Sequence, residues 1–145
     1  MGRFIQSNDE AQLATVHPDL VRVMRETIRR LPFDAIVIYG HRTVAEQNAL
    51  FQLGRTRPGK RVTNIDGVTK KSRHNYTPSL AIDVAPASVV ATGVWRETPA
   101  VLAQFDEIGR TAQAVAKELG VADFEWGGAW KRFKDRPHHQ LNRNA

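Results

Sequence analysis

The chain contains no cysteine. That absence excludes a disulfide framework, a zinc knuckle and a thiolate nucleophile, so any metal must be held by nitrogen and oxygen donors. No stretch reaches the roughly 20 apolar residues of a membrane span, and the N-terminal MGRFIQSNDEAQ has no apolar core behind a basic start. Neither stable membrane insertion nor export by a leader is therefore expected. Internal repeats and low-complexity tracts are also missing, which excludes solenoids and long disordered linkers. Acidic residues are the minority, with 15 Asp and Glu against 21 Lys and Arg, a net charge of +6 and an isoelectric point of about 10.2. Such a balance favours an anionic partner: nucleic acid, an acidic membrane surface or a cell-wall polymer. Few aromatic residues are interleaved with the basic ones, so no stacking platform for single-stranded nucleic acid is expected.

What is present is an ordinary globular composition, 41% apolar and 25% charged over 145 residues. This length suits one domain, residues 1–145, with a core and a surface cleft. In HPDLVRVMRETIRRL the residues Leu20, Val23, Met24, Thr27, Ile28 and Leu31 recur at helical spacing, with Pro18 suited to the first turn. The β-branched run DAIVIYG reads as a buried strand that delivers His41 and Arg42 to its end. TVAEQNALFQLG predicts a helix with a Thr43/Glu46 capping box and a stop at Gly54. Residues 54–71, rich in Gly, Lys and Arg, read as a long exposed loop with a turn at Asp66 and Gly67, and loops of this length tend to be functional.

SLAIDVAPA is the second strand. Alternation places Leu80, Ile82 and Val84 on one face and Ala81, Asp83 and Ala85 on the other, so the carboxylate sits among small neighbours. TPAVLAQFDEIGRTAQAVAKELG predicts a long helix with Leu102, Phe105, Ile108, Ala112, Val115 and Leu119 inward and Gly120 as its stop. FEWGG and PHHQL read as two short terminal strands.

The chemistry is concentrated in SRHNYTPSLAIDVAP and KDRPHHQL. His74, Asp83 and His138 supply two imidazoles and one carboxylate, the donor set with which zinc keeps a fourth position open for water. Each has a plainer reading alone: a solvated loop histidine, a strand aspartate satisfied by backbone or arginine, an accidental histidine doublet. Their order, His, Asp, then Asp and His three apart, favours the metal. His138 and His139 point to opposite faces of an extended segment, and Leu141 shares the face of His139. His138 is then the ligand and His139 a packed residue. Asp135 is placed to take a proton from the attacking water, with Glu125 as rival base and a turn-forming role as the bland alternative. Arg42, between a strand and a capped helix, would polarise a scissile carbonyl or hold a substrate carboxylate. Trp126 and Trp130 either wall the cleft or pack in the core.

Together, GHRTVAEQNALF, SRHNYTPSLAIDVAP and FEWGGAWKRFKDRPHHQL resemble the zinc peptidases of the D-alanyl-D-alanine carboxypeptidase superfamily, which includes phage endolysins that cut between L-alanine and D-glutamate. The resemblance covers most of the chain, in family order. It implies a small α+β zinc D,D-peptidase fold, hedgehog-like, a short antiparallel sheet with helices packed on one side. It also implies His74, Asp83 and His138 as ligands of Zn2+, Asp135 as the catalytic carboxylate and Arg42 as the residue facing substrate. Two departures stand out. The segment from His74 to Asp83 is longer than is common, widened at Thr77 and Pro78 and lacking a frequent glycine, and His139 stands where an aromatic or aliphatic residue is frequent.

The function these features imply is zinc-dependent hydrolysis of the L-Ala–D-Glu bond of the peptidoglycan stem peptide by a monomeric phage lysis enzyme. Such an enzyme would be made in the host cytoplasm without a signal peptide and reach the wall through a membrane lesion. The alternatives are a D-alanyl-D-alanine carboxypeptidase or dipeptidase and a non-catalytic wall-binding module with structural zinc. A nucleic-acid-binding protein would account for the charge but leave the histidines and Asp83 unexplained.

Overall fold

Two central strands carry the residues singled out above, and the rest of the fold supports them. The computed structural model describes residues 1–144. Four strands, β1 (Ala35–Tyr39), β2 (Ala81–Pro86), β3 (Phe124–Trp126) and β4 (His138–Leu141), form one antiparallel sheet in the order β1-β2-β4-β3. The register pairs Ile82 with His139 and Asp83 with His138. Residues directly opposite share a face, so Ile82 and His139 point one way and Asp83 and His138 the other.

The core side is apolar. Leu80, Ile82, Val84 and Leu141 pack with Leu20, Val23, Met24 and Ile28 of α2 (Pro18–Arg29) and Ile108, Ala112 and Val115 of α4 (Pro99–Glu118). α2 forms where its spacing predicts, and the His17 ring caps it by accepting from the Asp19 amide at 3.1 Å. A second cluster, Ile36, Ala85, Val89, Val101 and Phe105, seats the first turns of α4.

One expectation for α4 is corrected. Leu119 is 37% exposed, whereas Val101, Ala116 and Val121 are buried and Leu102 is half-buried. Leu119 is the C-cap, and Gly120, at φ +74°, turns the chain back so that Val121 reaches the core, its amide bonding to Ala116 O at 2.9 Å. Glycine adopts this left-handed conformation without steric penalty.

The N-terminal segment, which carries no periodicity, is ordered by a buried aspartate. Asp9, in the short helix α1 (Asp9–Leu13), is 1% exposed and accepts from the amides of Val37 at 3.0 Å and Gln6 at 2.9 Å. α3 (Val44–Gln52) begins with the Thr43/Glu46 capping box. Residues 54–71 contain no helix or strand, and the Asp66 turn is closed by bonds from the amides of Val68, Thr69 and Lys70. Among the described residues no helix is long and apolar enough to cross a membrane.

Candidate metal centre

His74 reaches the sheet through a dense local network rather than through a glycine. A 3-10 turn, Arg73–Asn75, follows Ser72, whose hydroxyl accepts from the His74 amide while Asn75 Oδ1 accepts from the Ser72 amide. Asn75 Nδ2 donates to Arg42 O at 2.7 Å, the Arg42 amide donates to His74 O at 2.8 Å, and the Leu80 amide donates to Arg73 O at 3.0 Å. These bonds close the segment between Arg73 and Leu80, and His74 is only 2% exposed. Its Nδ1 faces the Gly40 carbonyl at 2.8 Å. A neutral ring must carry its proton there, and Nε2 then holds a lone pair.

That lone pair points at Asp83. His74 Nε2 lies 3.3 Å from Asp83 Oδ1 and has no hydrogen-bond partner, although it is buried. His138 brings Nδ1 to 3.1 Å from the same oxygen, and its Nε2 faces Gln140 Oε1 at 2.7 Å. The three donor atoms lie within 4.8 Å of one another. Protonated, the two rings donate to Asp83; neutral, they turn two lone pairs on a carboxylate oxygen in a buried space, and these repel one another unless a cation sits among them. The donor set therefore fits a divalent metal of the zinc type.

The electrostatics point the same way. Burial alone would raise the Asp83 carboxyl, but the charges and hydrogen bonds of His74 and His138 outweigh it and hold the group well below the usual carboxylate range. Burial pulls His138 down, and the hydrogen bond and charge of Asp83, aided by Asp135 and Gln140, more than reverse this and raise it. Asp135 is the reverse of Asp83. Burial first, then the negative charge of Asp83, push its carboxyl up. Burial and neighbouring charge thus drive the two carboxyls in opposite directions.

Of the other residues singled out in the sequence, Arg42 and Trp130 contact this trio and Trp126, Glu125 and His139 are engaged elsewhere. Arg42, 7% exposed, holds Nη2 at 3.6 Å from Asp83 Oδ2 and stacks over the Tyr39 ring at 4.2 Å. Asp135 is anchored by its backbone, the amide donating to Gly127 O at 3.0 Å and the carbonyl accepting from the His138 amide at 3.2 Å. Trp130 leans on the His138 ring at 5.4 Å and so lines the site. Trp126 is a core residue, its ring fitted against Gly109 and Gly128 and its indole nitrogen donating to Arg136 O at 2.8 Å. Glu125, the rival base, is engaged by the Trp130 indole and the Asn142 amide. His139 is fully buried beside Phe124, at 5.8 Å between ring centroids, and lies away from the trio. His41 stays near the rim, its Nε2 at 3.4 Å from the Thr77 hydroxyl.

One residue escaped sequence reasoning. Gln47 on α3 is fully buried, accepts from Arg42 Nη1 at 2.7 Å, and donates to Ile65 O at 2.8 Å and the Thr63 hydroxyl at 3.2 Å. It joins Arg42 to the long loop. Its only sequence signal is its position one turn beyond the Thr43 cap, on the helix face shared with Leu50.

A four-stranded antiparallel sheet backed by helices carries a buried His-Asp-His trio that could hold a metal ion, with a raised carboxyl in Asp135. The chain belongs to the phage L-alanyl-D-glutamate peptidase family, whose sequence model matches residues 1–144. It is 37% identical over 114 residues to the peptidoglycan L-alanyl-D-glutamate endopeptidase CwlK of Bacillus subtilis (strain 168), a match covering 74% of this chain and 60% of that protein. Against the L-alanyl-D-glutamate peptidase of Escherichia phage T5 it is 28% identical over 139 residues, 95% of this chain and 88% of the relative. The crystal structure of the Serratia marcescens L-Ala D-Glu endopeptidase ChiX superposes with a TM-score of 0.70 at 32% identity, covering 96% of this chain and 89% of that one.

Proposed function

We propose that this chain is a zinc-dependent peptidoglycan endopeptidase that hydrolyses the L-Ala–D-Glu bond of the stem peptide, with residues 1–145 acting as one monomeric catalytic domain. The observation that carries the reading is the convergence of His74 Nε2, buried and without a hydrogen-bond partner, and His138 Nδ1 on one oxygen of Asp83. His74, Asp83 and His138 would hold the ion. When bound, zinc would supply a Lewis acid that lowers the pKa of a water and polarises the scissile carbonyl. Asp135, whose carboxyl is raised by burial and by Asp83, takes the proton of the attacking water and delivers it to the leaving amine. Arg42 offers a cationic fork, clamped by Gln47 and Tyr39, to the developing oxyanion or to the D-glutamate carboxylate.

The basic surface favours approach to anionic wall polymer, an effect on association rate that weakens with salt. A phage lysis role, with synthesis in the host cytoplasm, is supported by the similarity to the phage T5 peptidase along most of both chains.

The test is digestion of purified peptidoglycan followed by identification of the new amino termini, with and without chelator. Released D-glutamyl termini that vanish with chelator and return with zinc support the assignment. Release of free D-alanine alone would instead make the chain a carboxypeptidase of related chemistry.

A further inference from the structure

The net charge of +6 comes from one segment. Residues 54–73 hold seven of the 21 lysines and arginines and, in Asp66, one of the 15 acidic residues, so the remainder of the chain is balanced at 14 of each. The two parts also differ in pairing. Outside the segment, Arg25 meets Glu10 at 2.6 Å, Arg29 and Arg30 meet Glu26 at 2.6 and 2.7 Å, and Arg143 meets Asp19 and Asp123 at 2.9 and 2.6 Å. Inside it, no cation forms an ion pair among the described residues. Arg55 lies over the Phe51 ring at 3.8 Å, Lys71 lies over the Tyr76 ring at 4.4 Å, and Arg73 Nη1 donates to Arg143 O at 2.6 Å, all partners that leave the charge uncompensated. Arg57, Lys60, Arg61 and Lys70 are exposed. Asp66 is spent on the amides of its own turn.

Like charges gathered this closely repel one another, and a free loop would relieve the repulsion by spreading. This one is tied down instead. Gln47 Nε2 donates to Ile65 O at 2.8 Å and to the Thr63 hydroxyl at 3.2 Å, and Asn48 Nδ2 donates to Asp66 O at 3.2 Å. The same Gln47 accepts from Arg42, whose Nη2 lies 3.6 Å from Asp83, and the segment runs directly into His74. Both its middle and its end are therefore held next to the His74–Asp83–His138 trio.

We propose that residues 54–73 are a docking element for peptidoglycan, whose exposed cations bind the free carboxylates of stem peptides and hold the polymer beside the site. This rests on the reading of the chain as a wall peptidase and goes beyond a general attraction, since it assigns retention on the wall to one segment and none to the neutral remainder. The partner follows from the chemistry of that substrate. D-Glutamate has two carboxyls and the stem continues through one of them, which leaves the other free, and an uncrosslinked stem ends on a further carboxylate. The glycan sugars are neutral. Guanidinium and ammonium groups pair with carboxylates, and contacts that are weak one by one accumulate on a polymer that presents many copies.

The test is co-sedimentation with purified sacculi in an Asp135→Ala background, where the wall should stay uncut. R57Q/K60Q/R61Q/K70Q removes four exposed cations of the segment. R3Q/R96Q/R110Q/K117Q removes four exposed cations of the remainder and reaches the same net charge. With exposed ion pairs worth about twofold each, four compound to about 16-fold, so the segment variant is expected to bind sacculi about 16-fold more weakly and the control within about threefold of its parent. The charge-keeping set R57K/K60R/R61K/K70R is expected to retain binding, which separates lost charge from faulty folding. Sacculi whose carboxyls have been converted to amides are expected to lose the parent protein to the same degree as the segment variant. Equal losses in the segment and control variants would reduce the effect to net charge and overturn the docking element. Undiminished binding to amidated sacculi, or tighter binding per anionic group to double-stranded DNA or to phosphatidylglycerol vesicles, would overturn peptidoglycan as its partner. Failure of the peptidase reading shows separately: if the wild type releases no D-glutamyl termini while segment-dependent binding holds, the docking element stands and the assigned activity falls.

Discussion

His139 offers a direct thermodynamic test of how the β4 doublet divides between core and site. Its ring is fully buried, both nitrogens lack partners, and burial, helped by His138, lowers its pKa to about 3 from the ordinary 6.5. Between those values the unfolded chain binds a proton that the folded chain refuses, so stability rises with pH across this window and is flat above it. The loss on acidification approaches about 1.4 kcal/mol per pH unit, so at pH 5 the wild type gives up about 2 kcal/mol relative to its own stability at pH 8. His139→Phe, which keeps an aromatic ring against Phe124, removes this dependence. It also removes a buried unpaired N–H, a group whose burial costs about 1–3 kcal/mol, so at neutral pH the variant should be at least as stable as wild type. Urea unfolding of both metal-free proteins from pH 4.5 to 8 measures the difference, and groups common to both cancel. His139→Leu controls for ring packing. If the wild-type and variant curves run parallel with pH, His139 is not held neutral in the core and the division between the two histidines is wrong.

Three further outcomes follow from named contacts. Asp135→Asn should lower wall-lysis activity by about 100- to 10,000-fold with metal content unchanged, measured by turbidity loss of permeabilised cells beside metal analysis. Gln47→Leu leaves Arg42 Nη1 and the Thr63–Ile65 segment without their shared partner. It should cost about 1–3 kcal/mol in unfolding and open residues 54–71 to tryptic nicking, whereas an unchanged cleavage pattern would separate the loop from Arg42. Gly109→Ala drives a methyl group into the Trp126 ring and should cost about 1–3 kcal/mol, read as a lowered Tm, with the Arg136 bond to Trp126 loosening the turn that carries Asp135.

The sequence made the architecture readable where a local signal matched its tertiary use. α2 and the capping box of α3 are fixed by spacing and side-chain chemistry within one segment, and strand alternation separates Asp83 from Ile82 and His138 from His139 and Leu141, while the register that sets Asp83 opposite His138 comes from the pairing of the strands. What it withheld depends on contacts far apart in the chain. The N-terminal segment has no periodic pattern because Asp9 orders it through the Val37 amide, 28 residues away. Leu119 reads as the next inward residue of α4, but the turn at Gly120 ends that periodicity and substitutes Val121. How the long segment before Asp83 would deliver His74 was not legible, since its support comes from Asn75 and Arg42 across the loop. Gln47 was invisible for a similar reason. Its partners lie in a loop with no pattern of its own.

The central claim is that His74, Asp83 and His138 bind one metal ion and that Asp135 acts beside it without binding it. Metal content per chain, measured on the wild type, on the three single alanine variants of the trio and on Asp135→Ala, tests this most directly. The account predicts one zinc-type ion per chain in the wild type and in D135A, strongly reduced content in each variant of the trio, and loss of wall lysis in all four. Full metal content in any folded variant of the trio, or undiminished lysis by D135A, would contradict it.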